Sequence, residues 1–365
     1  MELFSSRSQS YDCWRRESHL CSGSLQRTAM DQDSPAADAG ITAVETQRAV
    51  AELASLLIDA ACEAVSTQWR LLSAEDVPNQ SAGTVLDPEA LLLMSLWLIP
   101  REPELHQTVH EWVARWSDLL SVQRTRNLAK ALSEDVQHQL RAVAITAHER
   151  GKDFRWTPVI KGGNASVRMG TADDVAGVNP SDGRPRDRGD VRLPVSREAL
   201  LMLRFRMAFG VGARADALAF LLARGTQWST VTEISQATGY TPSAIRRALD
   251  RMAEAEIVLT VDDGSTRYRC DPVPWSALLG LQAGVAPWAY WLQQFTFVAT
   301  FVEWAESVSK RKLTAYAITE GMRGVARKSR PTADRDALIA WDHAFRDGSS
   351  LAEMEIALAG IAAAL

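Results

Sequence analysis

The chain has 365 residues, 46% of them hydrophobic, which suits about two or three globular domains rather than a fibrous or disordered protein. Its net charge of −5 offers no global attraction to a polyanion and counts against a protein that coats nucleic acid regardless of sequence. The four cysteines, Cys13, Cys21, Cys62 and Cys270, form no CxxC pair, so a disulfide framework or zinc site is not expected and a reducing, cytoplasmic setting fits.

Residues 1–40 are rich in Ser, Gln and Asp without periodicity and read as a disordered tail, with Met30 as an alternative start. Met1 to Ser10 holds no apolar signal core. Residues 41–150 read as an all-α domain. Val44, Val50, Leu53, Leu57, Ala61 and Val65 recur at helical spacing in its first helix. Asp87 and Pro88 open a second helix, and Pro100 and Pro103 close it. Leu105, Val109, Trp112, Val113 and Trp116 mark the inner face of a third, and two more run to residue 149. Residues 151–194 are Gly- and Pro-rich and read as a linker or loop, with a solvated mixed-charge stretch. The lesser alternative is an arm in which Arg184, Arg186 and Arg188 reach a minor groove.

A helix follows Pro194 and stops at Gly210 and Gly212, where Arg204, Arg206 and Arg214 are placed to touch phosphates from outside a groove. The stretch from Ser229 to Asp271 then organises the chain. Ser229 or Thr230 caps a short helix that Gly239 ends, because a left-handed residue there suits Gly. Thr241 caps the next helix and Pro242 takes its first position. Ile245, Ala248, Leu249 and Met252 form its apolar side, opposite Ser243, Arg246, Arg247, Asp250 and Arg251. A β-branched run from Ile257 to Val261, a turn at Asp263-Gly264, and a return strand ending at Cys270 give a two-stranded hairpin, with Arg267 and Arg269 on one face.

The run from Gly239 to Met252, GYTPSAIRRALDRM, resembles the recognition helix of bacterial winged helix-turn-helix regulators of the MarR and GntR kind. The segment Ala213 to Arg224 resembles their first helix. The likeness covers roughly residues 196–275, and it implies a DNA-binding domain at 195–275, double-stranded DNA as partner and a homodimer on a two-fold site.

Beyond it, residues 276–302 carry no charge. Gln282, Gln293, Gln294 and Pro287 argue against a membrane span and for one buried central helix lined by Trp288, Trp291, Phe295, Phe301 and Trp304. Residues 309–330 are basic, read first as a solvated face and second as phosphate contacts through residues such as Arg323 and Arg327. Two helices close a C-terminal helical domain at 276–365, suited to dimerisation or a small-molecule effector.

The fold class expected is therefore mainly α, with one β-hairpin. Thr241, Ser243 and Arg246 are expected to face base edges, Arg247 and Arg251 phosphates or neighbouring bases, and Arg267 and Arg269 the adjacent backbone or minor groove. Nucleophile elbows, Walker loops and HExxH are absent, so no enzyme, cofactor or metal is expected. His106 and His110, four apart on a helix, read as surface residues rather than ligands. The alternative function is a protein-interaction or scaffold subunit, since acids slightly outnumber arginines between Gly239 and Asp271.

Overall fold

The computed structural model describes residues 42–73, 83–161, 192–281, 284–329 and 341–365. The expected tail at 1–40 and most of the expected linker, with Arg184, Arg186 and Arg188, lie outside these residues. The protein is mainly helical with a small three-stranded antiparallel sheet.

Helix α1 (Ala43–Leu72) starts at a capping box, in which Thr42 and Glu45 satisfy each other's backbone N–H groups. Its last-turn carbonyls are taken by Arg197, whose Nη1 donates to Leu71 O at 2.6 Å. Helix α2 (Pro88–Leu98) is buried along its whole length. Asp87 caps it and Pro88 fills its first position. Around α2 pack α3 (Glu104–Trp116), α4 (Val122–Ala129) and α5 (Glu134–Glu149), with the short α6 (Thr157–Ile160) against α5.

In the middle of the chain come α7 (Leu201–Phe209), α8 (Ala213–Ala223), β1 (Ser229–Thr230), α9 (Val231–Thr238), α10 (Pro242–Glu254), β2 (Leu259–Asp262), β3 (Thr266–Arg269) and α11 (Pro272–Leu279). The sheet order is β1-β3-β2, with Thr230 opposite Arg267 and Leu259 opposite Arg269. The hairpin read from sequence thus gains a third strand. β1 is two residues long, too short to signal itself, and Thr230 both pairs with β3 and caps α9. Phe205, Phe220, Ile234, Ile245, Leu249 and Tyr268 form the core of this part.

Helices α12 (Trp291–Ser309), α13 (Ala315–Lys328) and α14 (Leu351–Ala364) all pack on α1, and α12 also packs on α2. The same core holds Leu57, Leu92 and Val143 from the N-terminal half and Phe301, Met322 and Leu358 from the C-terminal one. Two separate helical domains at 41–150 and 276–365 are therefore corrected to one shared core. The 30-residue α1 carries the apolar stripe that both sets of helices cover. All described residues fall in one compact unit, Gly40–Leu365.

The uncharged run at 276–302 is not one helix. α11 ends at Gly280 in the left-handed region, and α12 begins only at Trp291. None of the residues of α11 is buried, whereas Trp291, Phe295 and Phe301 of α12 are. Trp288 stands before α12 and packs edge-on to Phe220 of the other core, with ring centroids 5.2 Å apart. Among the described residues no helix is long and apolar enough to cross a membrane.

Candidate nucleic-acid interface

The local signals that shape α9 and α10 are all present in three dimensions. Thr230 and Glu233 form a capping box at the start of α9. Gly239 ends it with φ +72°, a conformation that disfavours any side chain with a Cβ. Thr241 Oγ1 accepts the Ala244 N–H at 3.3 Å and begins α10. Burial of Ile245, Ala248, Leu249 and Met252 then turns the other side of α10 to solvent.

That outer side carries Ser243, Arg246, Arg247 and Arg251, with Thr241 at its head, all exposed. Thr241 and Ser243 hydroxyls lie 3.2 Å apart. Among the described residues neither Arg246 nor Arg247 has an ion-pair partner. Arg251 is different, because Nη1 donates to Glu254 Oε2 at 2.9 Å. Asp250 is also exposed on this side, one turn from Arg246, and accepts from the Tyr268 hydroxyl at 3.4 Å. Burial and then the Asp250 carboxylate push the Tyr268 phenol above its ordinary value, so it stays a donor.

Arg267 and Arg269 stand on the outer face of the sheet, half-buried, opposite the buried Tyr268. Arg267 pairs with Asp263 in the hairpin turn. Arg269 lies over the ring of Trp228, 4.8 Å from its centroid. The seven residues singled out from sequence therefore fall into two sets, five on one helix face and two on one sheet face.

The most elaborate polar arrangement was not foreseen. Asp87, Glu89, Arg124, Arg206 and Asp216 form one fully buried cluster beneath the α9–α10 turn. All five N–H groups of Arg206 are engaged: by Glu89 at 2.7 and 2.9 Å, by Asp216 at 2.8 and 2.7 Å, and by Leu119 O at 2.8 Å. Arg124 forks onto Asp87, touches Glu89, and donates its Nε–H to Thr238 O at the end of α9. Tyr240, in the turn itself, donates to Asp216 Oδ2 at 2.9 Å. Three carboxylates against two guanidinium groups leave one negative charge in excess. It is offset by neutral donors: the Tyr240 hydroxyl and the backbone N–H groups of Ser121, Glu89 and Ala90. Burial alone would raise the Asp87 carboxyl, but Arg124 beside it prevails and holds it below its ordinary 3.8. Burial and the Asp216 charge push the Tyr240 phenol well above its ordinary value and keep it protonated.

Chemically this cluster is a clasp between α2 and α4 on one side and α7 to α10 on the other rather than a site open to a ligand. Arg124 comes from α4 and Glu89 from α2, while Thr238 and Tyr240 set the angle between α9 and α10. The turn sits so close that a Cβ on Gly239 would meet Leu128 Cδ2 at 3.2 Å and Arg124 Nε at 3.4 Å. One signal for the clasp was present in the sequence: Glu89 and Asp216 are lone acids in otherwise apolar helical runs, PEALLLMSLWL and ADALAFLLA.

Other expected phosphate contacts are corrected. Arg206 is consumed by the clasp, and Arg204 Nη1 donates to Leu279 O at 2.8 Å. Of this group only Arg214 is exposed. Arg323 is buried against Glu320 and Ser349 O, and Arg327 pairs with Asp347, so the basic stretch at 309–330 is partly spent inside the fold. His106 and His110 stack at 4.3 Å, and among the described residues no group of three His, Cys, Asp or Glu is placed to hold a metal ion. No family model, curated protein or solved structure matches the chain.

Proposed function

We propose that the protein is a sequence-specific DNA-binding regulator acting in the cytoplasm, and that residues 195–275 are a winged helix-turn-helix. In this reading α10 enters the major groove and the β2–β3 hairpin is the wing. The observation that carries it is the outer face of α10, where Thr241, Ser243, Arg246 and Arg247 are exposed together and no acid pairs with either of those arginines among the described residues. The 13 residues of α10 span about 20 Å, and a major groove about 12 Å wide admits a helix. Arg246 offers a planar fork suited to guanine O6 and N7, while Thr241 and Ser243 supply short hydroxyl contacts. Two copies related by a two-fold axis would read two half-sites.

The test is selection from a random duplex pool by the full-length protein, followed by sequencing of the retained fragments. A single enriched motif whose binding weakens with salt supports the reading. Retention without enrichment, or none, overturns it.

A second reading, a protein-interaction subunit of a larger assembly, is favoured by one observation. Arg251 and Arg267 are each offset by a neighbouring acid, and the whole chain carries −5. That reading expects no salt-sensitive DNA binding.

A further inference from the structure

The outer face of the small sheet has an ordered arrangement that the hairpin alone does not require. Strand pairing places Ser229 opposite Tyr268 and Thr230 opposite Arg267. Trp228, just before β1, meets Arg269 by its ring, and Leu259 of β2 pairs with Arg269 on the other side. The guanidinium carbon of Arg269 lies 4.8 Å from the centre of the indole ring. Among the described residues Arg269 makes no ion pair, and its Nε–H has no acceptor. Two residues along the strand, on the same face, Arg267 is also without an acceptor at Nε, although Asp263 holds its terminal nitrogen.

A guanidinium stacked on an aromatic ring keeps its charge and its in-plane donors while losing most of its rotamer freedom. Such a group is prepared for an oxyanion that arrives in the plane of the fork. Arg267 and Arg269 thus set two guanidinium groups side by side on one face of the sheet, and among the described residues only that of Arg267 is paired with an acid.

We infer that Trp228 is a positioning residue for a phosphodiester site, holding Arg269 so that its outer edge, beside Arg267, takes one backbone phosphate of a DNA duplex. This rests on the DNA-binding reading and extends it to a residue outside the helix-turn-helix itself. Such a contact is independent of sequence, so a labelled random duplex is sufficient as probe.

The experiment is fluorescence anisotropy with the full-length chain at a series of salt concentrations, for wild type, Arg269→Ala, Trp228→Phe, Trp228→Leu and Trp228→Leu/Arg269→Ala. Losing one phosphate contact makes the plot of log affinity against log salt shallower by about 0.9. Arg269→Ala is expected to show that change. Trp228→Leu, which keeps apolar bulk without a ring, is expected to follow it, and Trp228→Phe to stay near wild type. The double variant is expected to be no weaker than Arg269→Ala, since both act on one contact. Thermal melts check that each variant is folded. Wild-type affinity and slope in Trp228→Leu overturn this inference alone. So do losses that add in full in the double variant. Absence of salt-sensitive binding by the wild-type chain overturns the regulator reading and this inference together.

Discussion

Replacing Arg206 with Met tests whether the buried clasp holds α7 and α8 to α2. The side chain is 2% exposed and all five of its donors are used, so nothing in solvent compensates for its loss. In Arg206→Met, Glu89 keeps Arg124 and the Ser121 N–H, but Asp216 keeps only the Tyr240 hydroxyl among its present side-chain partners. Removing one partner of a buried ion pair costs about 3–5 kcal/mol, because the remaining charge stays desolvated. For a unit of this size that corresponds to a fall in Tm of roughly 5–15 °C by calorimetry at neutral pH. Arg206→Lys keeps the charge but loses the planar fork, and an intermediate fall is expected. Arg206→Met/Asp216→Leu removes the stranded carboxylate along with its partner, so it is expected to be more stable than Arg206→Met alone. A melting point for Arg206→Met within about 1 °C of wild type would refute the reasoning, since no buried charge could then have been left uncompensated.

Gly239→Ala places a Cβ on a left-handed residue and against Leu128 and Arg124, so a loss of about 1–2 kcal/mol is expected from urea unfolding, and an unchanged midpoint counts against the tight docking of the turn. Arg246→Ala is expected to lose about 1–3 kcal/mol of discrimination between the selected site and its single-base variants, measured by competition; equal weakening on every sequence would assign Arg246 to the backbone instead. The Asp87 carboxyl is depressed in the folded protein, so its contribution to stability is present above the ordinary value of 3.8 and is lost as pH falls through the lower folded value. Acid unfolding of wild type is expected to include this loss, whereas Asp87→Asn, already without the charge, should show a shallower dependence of Tm on pH below about 4.

The amino-acid order alone was enough for the features whose causes lie within a few residues. The caps at Thr230 and Thr241, the left-handed Gly239, the apolar side of α10 and the hairpin after it were all legible, because capping, backbone freedom and helical periodicity are local effects. The helices before residue 150 were legible for the same reason. The two-residue β1 was not, since its strand character comes from pairing with β3 rather than from its own composition. An uncharged apolar run reads alike whether it forms one helix or two, so the break between α11 and α12 is hidden in composition, although Gly280 ends α11 in the left-handed region. Which arginines are available to a partner was decided only by tertiary structure. Arg124 reaches Thr238 across 114 positions and Arg206 reaches Glu89 across 117, and such pairings leave no periodic trace in the chain. Arg246 and Arg206 are the same residue type on helices of the same module. One is exposed because Ile245 and Leu249 bury the opposite side of its helix, and the other is enclosed because lone acids in two apolar helices needed a cation between them.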